Sequence, residues 1–223
     1  MKILSKCAAL LLIASGIMSH SAISRVNTEE KLVALTFDDG PHPRMTEMIL
    51  DVLEENDVRA TFFVIGQNAL YRPDIVKMTS ESGHEIGNHT FSHPHISRLD
   101  EKSLCNEISE AEEAILRACG VRPRVFRPPE GACESSVMLV ASKLEYNVIL
   151  WSIDTRDWAH SQKYDIIKNV KQNIRPGSII LFHDYISGEA HTVEALKELI
   201  PYLKGEGYSF VTISELMAHR RER

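Results

Sequence analysis

About seven times along the chain, a short apolar, β-branched run gives way to a longer stretch in which apolar residues recur every three or four positions. The runs are continuous rather than alternating, which is the pattern of strands covered on both faces. They begin with Leu32-Val33-Ala34-Leu35-Thr36-Phe37 and continue at Arg59–Ile65, Gly83–Asn88, Val125–Phe126, Tyr146–Ile153, Ser178–Phe182 and Tyr208–Thr212. Helical periodicity occupies the stretches between them: Arg44–Asn56, Pro73–Ser82, Asp100–Cys119, Ser135–Leu144, Tyr164–Asn173, Val193–Leu203 and Ile213–Arg223. Pro73 fits a first helical turn, and Gly120 closes the longest helix. Arg127-Pro128-Pro129-Glu130-Gly131 cannot be helical. Strict alternation of strand and helix implies parallel strands with helical crossovers. Seven such units suit a closed or nearly closed α/β barrel, with an open doubly wound sheet as the alternative. The chain has no Gly-rich phosphate loop, which counts against the usual cargo of open sheets.

The N-terminus departs from this pattern. Lys2 and Lys6 precede or flank an apolar stretch from Cys7 to Met18, short for a bilayer span but suited to a secretory signal. Small residues at Ser21 and Ala22 allow cleavage there, and an uncleaved anchor is the alternative. The chain is therefore expected to consist of an export segment, residues 1–22, and one folded domain, residues 23–223, secreted or held at the cell envelope. Losing residues 1–21 removes two lysines and no acid, taking the formal charge from −6 to −8. Neither value suits a nucleic-acid binder that works through a basic surface. Cys105, Cys119 and Cys133 then remain, an odd number without a C-x-x-C pair. Cys105 and Cys119 share one predicted helix and stand about 21 Å apart along it, too far to be bridged. All three are expected to serve as small packing residues.

Five polar clusters each follow a strand: Asp38-Asp39, His89 and His93, Arg127, Asp154 and Asp157-Trp158, and His183-Asp184. In parallel α/β folds such positions share one rim, where the chemistry sits. His89 and His93 are spaced to close on one metal ion in a turn, and Pro94 argues against the helical H-E-x-x-H arrangement. Adding one carboxylate gives a His₂–Asp set with positions open for water and substrate. The second carboxylate of the Asp38-Asp39 pair is then available as a general base, with Arg127 to orient it. His183, its pKa raised by an acid such as Asp157, suits protonation of a leaving group. Trp158 is either an apolar wall, stacking on a sugar face, or a core residue.

Five stretches carry a resemblance. Thr36-Phe37-Asp38-Asp39-Gly40-Pro41, His89-Thr90-x-x-His93-Pro94, Arg127-Pro128-Pro129-x-Gly131, Asp154-x-x-Asp157-Trp158 and Leu181-x-His183 resemble, in order, the motifs of the NodB-type polysaccharide deacetylases, carbohydrate esterase family 4. The resemblance implies a distorted (β/α)7 barrel and metal-dependent removal of N-acetyl groups from an N-acetylglucosamine-type polysaccharide, with release of acetate. By position, Asp38 would be the general base and Asp39, His89 and His93 the metal ligands. Arg127 would orient Asp38, Asp157 would tether His183, and His183 would be the general acid. Trp158 and Leu181 would line the acetyl pocket. Glu130 stands where many members carry Tyr, so its backbone N–H is kept for the oxyanion while ring and charge differ. The implied cofactor is a divalent metal, Zn²⁺ before Co²⁺ or another ion. The implied partner is an acetylated glycan, and a monomer is expected. An O-acetyl esterase on xylan-like glycans and a catalytically silent glycan-binding barrel are the competing readings.

Overall fold

The first apolar run forms β1 (Leu32–Asp38), buried from Val33 to its end. The computed structural model describes residues 21–186 and 190–221, so nearly all of the expected export segment lies outside the described residues. The further strands are β2 (Thr61–Val64), β3 (Glu85–Asn88), β4 (Val125–Phe126), β5 (Asn147–Val148), β6 (Ile153–Asp154), β7 (Ile179–His183) and β8 (Ser209–Phe210). They pair in the order β5-β4-β3-β2-β1-β7-β6, every pair parallel, and β8 pairs with the start of β1. Around this sheet lie α1 (Met45–Glu55), α2 (Gly66–Tyr71), α3 (Pro73–Glu81), α4 (Glu101–Cys119), α5 (Ser135–Lys143), α6 (Lys163–Asn173), α7 (Thr192–Gly205) and α8 (Ile213–Ala218). The result is the expected distorted α/β barrel.

Strand parity decides which β1 side chains meet the helices and which enter the barrel. Val33, Leu35 and Phe37 pack into the core shared with the helices, where Phe37 stacks against Phe62 at 4.9 Å and Phe182 at 5.7 Å. Ala34 belongs instead to the inner core with Phe63, Val125 and Ile179. Thr36 and Asp38 share its parity, so the carboxylate that ends the strand turns into the barrel. Register then sets its neighbour: Asp38 stands opposite His183 on β7.

Several elements differ from the sequence expectation. The run Tyr146–Ile153 is not one strand: β5 lies at one edge of the sheet and β6 at the other. The residues between them span the gap, and Arg127 satisfies the carbonyls of Ile149 (3.3 Å) and Leu150 (3.0 Å) that a continuous ladder would have used. Ile23, ahead of β1, closes that edge further by bonding Val148 and Leu150 through its backbone. Gly66, directly after the second apolar run, begins α2, a helix too short to show a helical period. Pro129–Gly131 makes one 3₁₀ turn, with Glu130 at φ 58° keeping it from helical continuation. The last helix ends at Ala218. Cys105 and Cys119 are free and half-buried against the core, whereas Cys133 is free and exposed, contrary to its expected packing role.

Candidate active site

Asp38 is buried at 3 % exposure and is held by Arg127, itself wholly buried. One guanidinium nitrogen donates to Asp38 Oδ1 at 2.7 Å and to Thr36 Oγ1 at 2.8 Å. The guanidinium also lies 4.1 Å from the Phe63 ring centroid. Burial lowers the Arg127 pKa, and the Asp38 carboxylate acts against that. With one carboxylate oxygen tied to Arg127, the other faces His89 Nε2 at 3.8 Å.

Asp39 leaves the strand in the left-handed region, φ 78°, and its carboxylate meets both histidines. Its Oδ1 lies 3.3 Å from His89 Nε2 and 3.5 Å from His93 Nε2. That oxygen is buried and has no hydrogen-bond partner among the described residues. One ligand atom from each of Asp39, His89 and His93 falls within 4.8 Å of the others. His89 Nδ1 meets the Arg127 carbonyl at 2.6 Å, which leaves Nε2 with its lone pair toward Asp39. These features fit a divalent cation. Burial works against charge on His89, yet Asp38 and Asp39 outweigh it and hold its pKa above the ordinary value. For Asp39, burial is likewise overcome by the histidines and the pKa is lowered. Burial and the neighbouring His89 lower that of His93.

The histidine loop is shaped locally. Thr90 and His93 both adopt positive φ, 67° and 53°. Asn88 Oδ1 accepts the Thr90 N–H at 2.9 Å. From α4, Glu107 Oε2 accepts the N–H groups of Phe91 (3.0 Å) and Ser92 (2.8 Å), and Oε1 accepts the Ser92 hydroxyl (2.8 Å). Asn68 of α2 donates to the Asp39 carbonyl at 2.7 Å.

Opposite this group, His183 Nδ1 lies 2.8 Å from Asp157 Oδ1. Asp157 is buried and fixed by the His183 N–H (2.9 Å), the Trp158 N–H (2.9 Å) and the Thr192 hydroxyl (2.8 Å). Burial opposes protonation of His183, but the Asp157 contact prevails and raises its pKa to about 9. Asp157 thus engages Nδ1, and Nε2 is the nitrogen left free among the described residues.

Asp38, Asp39, His89, His93, His183, Glu130, Trp158, Leu181, Asp154 and Trp151 line one cleft of about 510 Å³. Arg127 and Asp157 stand behind that lining. All the site residues expected from the sequence therefore converge, and Trp158, half exposed, is a wall rather than core. Glu130 turns its carboxylate to His95 Nδ1 at 3.0 Å on the rim. Sequence reasoning missed Trp151, which lies within the split strand, and Glu107, which sits on a helix face among other acids. Asp184 was grouped with His183 but is wholly buried behind it, where desolvation pushes its pKa up to about 7.

The sequence profile of the polysaccharide deacetylase family matches residues 25–149. The chain belongs to this family, carbohydrate esterase family 4. A peptidoglycan-N-acetylglucosamine deacetylase of Bacillus cereus is 41 % identical over 192 residues, covering 86 % of this chain and 70 % of that protein. A chitooligosaccharide deacetylase of Azorhizobium caulinodans is 35 % identical, over 83 % of this chain and 94 % of that one. The crystal structure of the Bc1960 peptidoglycan N-acetylglucosamine deacetylase, in complex with an N-oxidanyl-benzamide, matches with a TM-score of 0.85 and 39 % identity, covering 90 % of this chain and 94 % of that one.

Proposed function

We propose that the chain is a metal-dependent deacetylase that hydrolyses the N-acetyl group of glucosamine residues in a cell-wall or chitin-like glycan, releasing acetate. The observation that carries the reading is the unpartnered Asp39 Oδ1 facing two histidine nitrogens, with Asp38 and His183 on either side. Asp39, His89 and His93 hold the metal, most readily Zn²⁺ given the donor set. When bound, it supplies Lewis acidity to a water molecule and to the acetamide carbonyl.

Asp38, oriented by Arg127, takes a proton from the attacking water. The Glu130 N–H donates to the oxyanion that forms as the water oxygen adds to the carbonyl carbon. His183, protonated and held by Asp157, gives its proton to the departing nitrogen, so the products are acetate and a free amine. Trp158 and Leu181 enclose the acetyl methyl and exclude water. Residues 23–223 form the catalytic domain, and residues 1–22 direct export to the compartment where such glycans lie.

The named relatives support both a peptidoglycan and a chitooligosaccharide substrate, and acetate release from a panel distinguishes them. Release from peptidoglycan or N-acetylglucosamine oligomers is expected. Release from acetylxylan alone would overturn the reading in favour of an O-acetyl esterase.

A further inference from the structure

Asp184 is a buried carboxyl that no step above uses. It follows His183 at the end of β7 and lies beneath the turn Asp38–Pro41 rather than in the cleft. Its N–H donates to the Asp38 carbonyl at 3.1 Å. Its Oδ2 accepts from Thr46 Oγ1 at 2.6 Å, and the same hydroxyl accepts the His42 N–H at 2.8 Å. A Cβ built on Gly40 would stand 2.0 Å from Oδ2 and 2.4 Å from Oδ1. Gly40 does not have a positive φ, so the carboxyl, not the backbone angle, demands glycine there.

Asp184 Oδ1 is buried without a hydrogen-bond partner among the described residues, and the help that the Gly40 N–H gives the charged carboxylate does not outweigh its burial. A carboxyl left in this state opposes folding rather than favouring it. What it touches is the backbone that carries Asp38 and Asp39. Groups that strain or destabilise a fold while bracing a site persist because of what they hold in place.

We propose that Asp184 is a positioning residue: its carboxyl, seated against Gly40 and bonded to Thr46, fixes the left-handed turn at Asp39 and so sets where the Asp39 carboxylate meets His89 and His93. The inference rests on the reading of Asp39 as a metal ligand. Without the carboxyl, the space under Gly40 lets the turn relax, and the three donor atoms no longer converge.

The test compares the native chain with Asp184→Ala, Asp184→Asn, Gly40→Ala and the double variant Gly40→Ala/Asp184→Ala. Each is stripped of metal, its thermal unfolding is recorded, and its Zn²⁺ affinity is measured by competition with a chelator. Asp184→Ala is expected to weaken Zn²⁺ binding by roughly 10- to 100-fold, the range for groups that orient a ligand, with the unfolding temperature of the stripped chain unchanged or raised. Asp184→Asn, which keeps the shape and an acceptor for Thr46, recovers most of the affinity. Gly40→Ala weakens binding, and the double variant binds no more weakly than Asp184→Ala, because the added methyl takes space the carboxyl has left. Native affinity in Asp184→Ala overturns the inference, as does a loss of affinity that tracks loss of thermal stability across all four variants. A native chain with no affinity for Zn²⁺, Co²⁺ or Mn²⁺ overturns the ligand reading, and the inference with it.

Discussion

His183 keeps a proton in a place that opposes it. Burial lowers its pKa, Asp157 raises it, and the net result is about 9 against an ordinary 6.5. The proton's contribution to stability is therefore complete below 6.5 and disappears as pH rises through about 9. If this proton serves the leaving amine, turnover falls on the alkaline side. A cation beside Asp39 cancels that carboxylate's share of the shift, so the limb falls between the two values. Asp157→Asn removes the largest raising contact and should move the limb toward 6.5, which a pH–rate profile would read. A limb unmoved by that substitution would take His183 out of the assignment.

Arg127 belongs to the same scale. Its guanidinium serves Asp38, Thr36 and the carbonyls of Ile149 and Leu150 without contact with solvent. Arg127→Ala leaves a buried carboxylate and two carbonyls unpartnered, so it should destabilise the fold by about 3–5 kcal/mol, measured by urea unfolding. The residues at the strand ends were legible because acids, histidines and an arginine directly after apolar runs are chemically conspicuous. Asp184 and Glu107 were not, since their roles arise from contacts between segments distant in sequence.

At the scale of elements, α4 does more than cover the sheet. Asp100 caps it by accepting the Ser103 N–H at 2.8 Å, and Gly120 ends it at φ 74°. Both signals were legible, and the helix bounds follow them. Its Glu107 ties down the loop between His89 and His93 by three hydrogen bonds. Glu107→Ala should weaken Zn²⁺ binding by about 10-fold or more, while Asp100→Ala costs about 1 kcal/mol of stability and leaves the affinity unchanged. Chelator competition and thermal unfolding separate the two. The split of Tyr146–Ile153 into β5 and β6 was not legible, because its composition is that of one strand. The break follows from closure: the same short segment must serve both edges of the sheet, and the buried Arg127, directly after β4, makes that possible.

Taken as a whole, the molecule turns strand parity and register into a site. Parity sends Asp38 into the barrel, the left-handed residue after it sends Asp39 toward the histidines, and register sets His183 across from Asp38. Parallel strands then carry all these groups to one rim. The alternation of strands and helices made this architecture readable, and the family resemblance supplied the roles that spacing left open. The measurement that bears most directly on the account is acetate release from an N-acetylglucosamine oligomer, by the native chain and by Asp38→Ala, after chelation and after Zn²⁺ is restored. The native chain should release acetate only with metal present, and Asp38→Ala, still binding Zn²⁺, should be slower by about 10²-fold or more. Acetate release that survives chelation, or a metal-loaded Asp38→Ala working at the native rate, would contradict it.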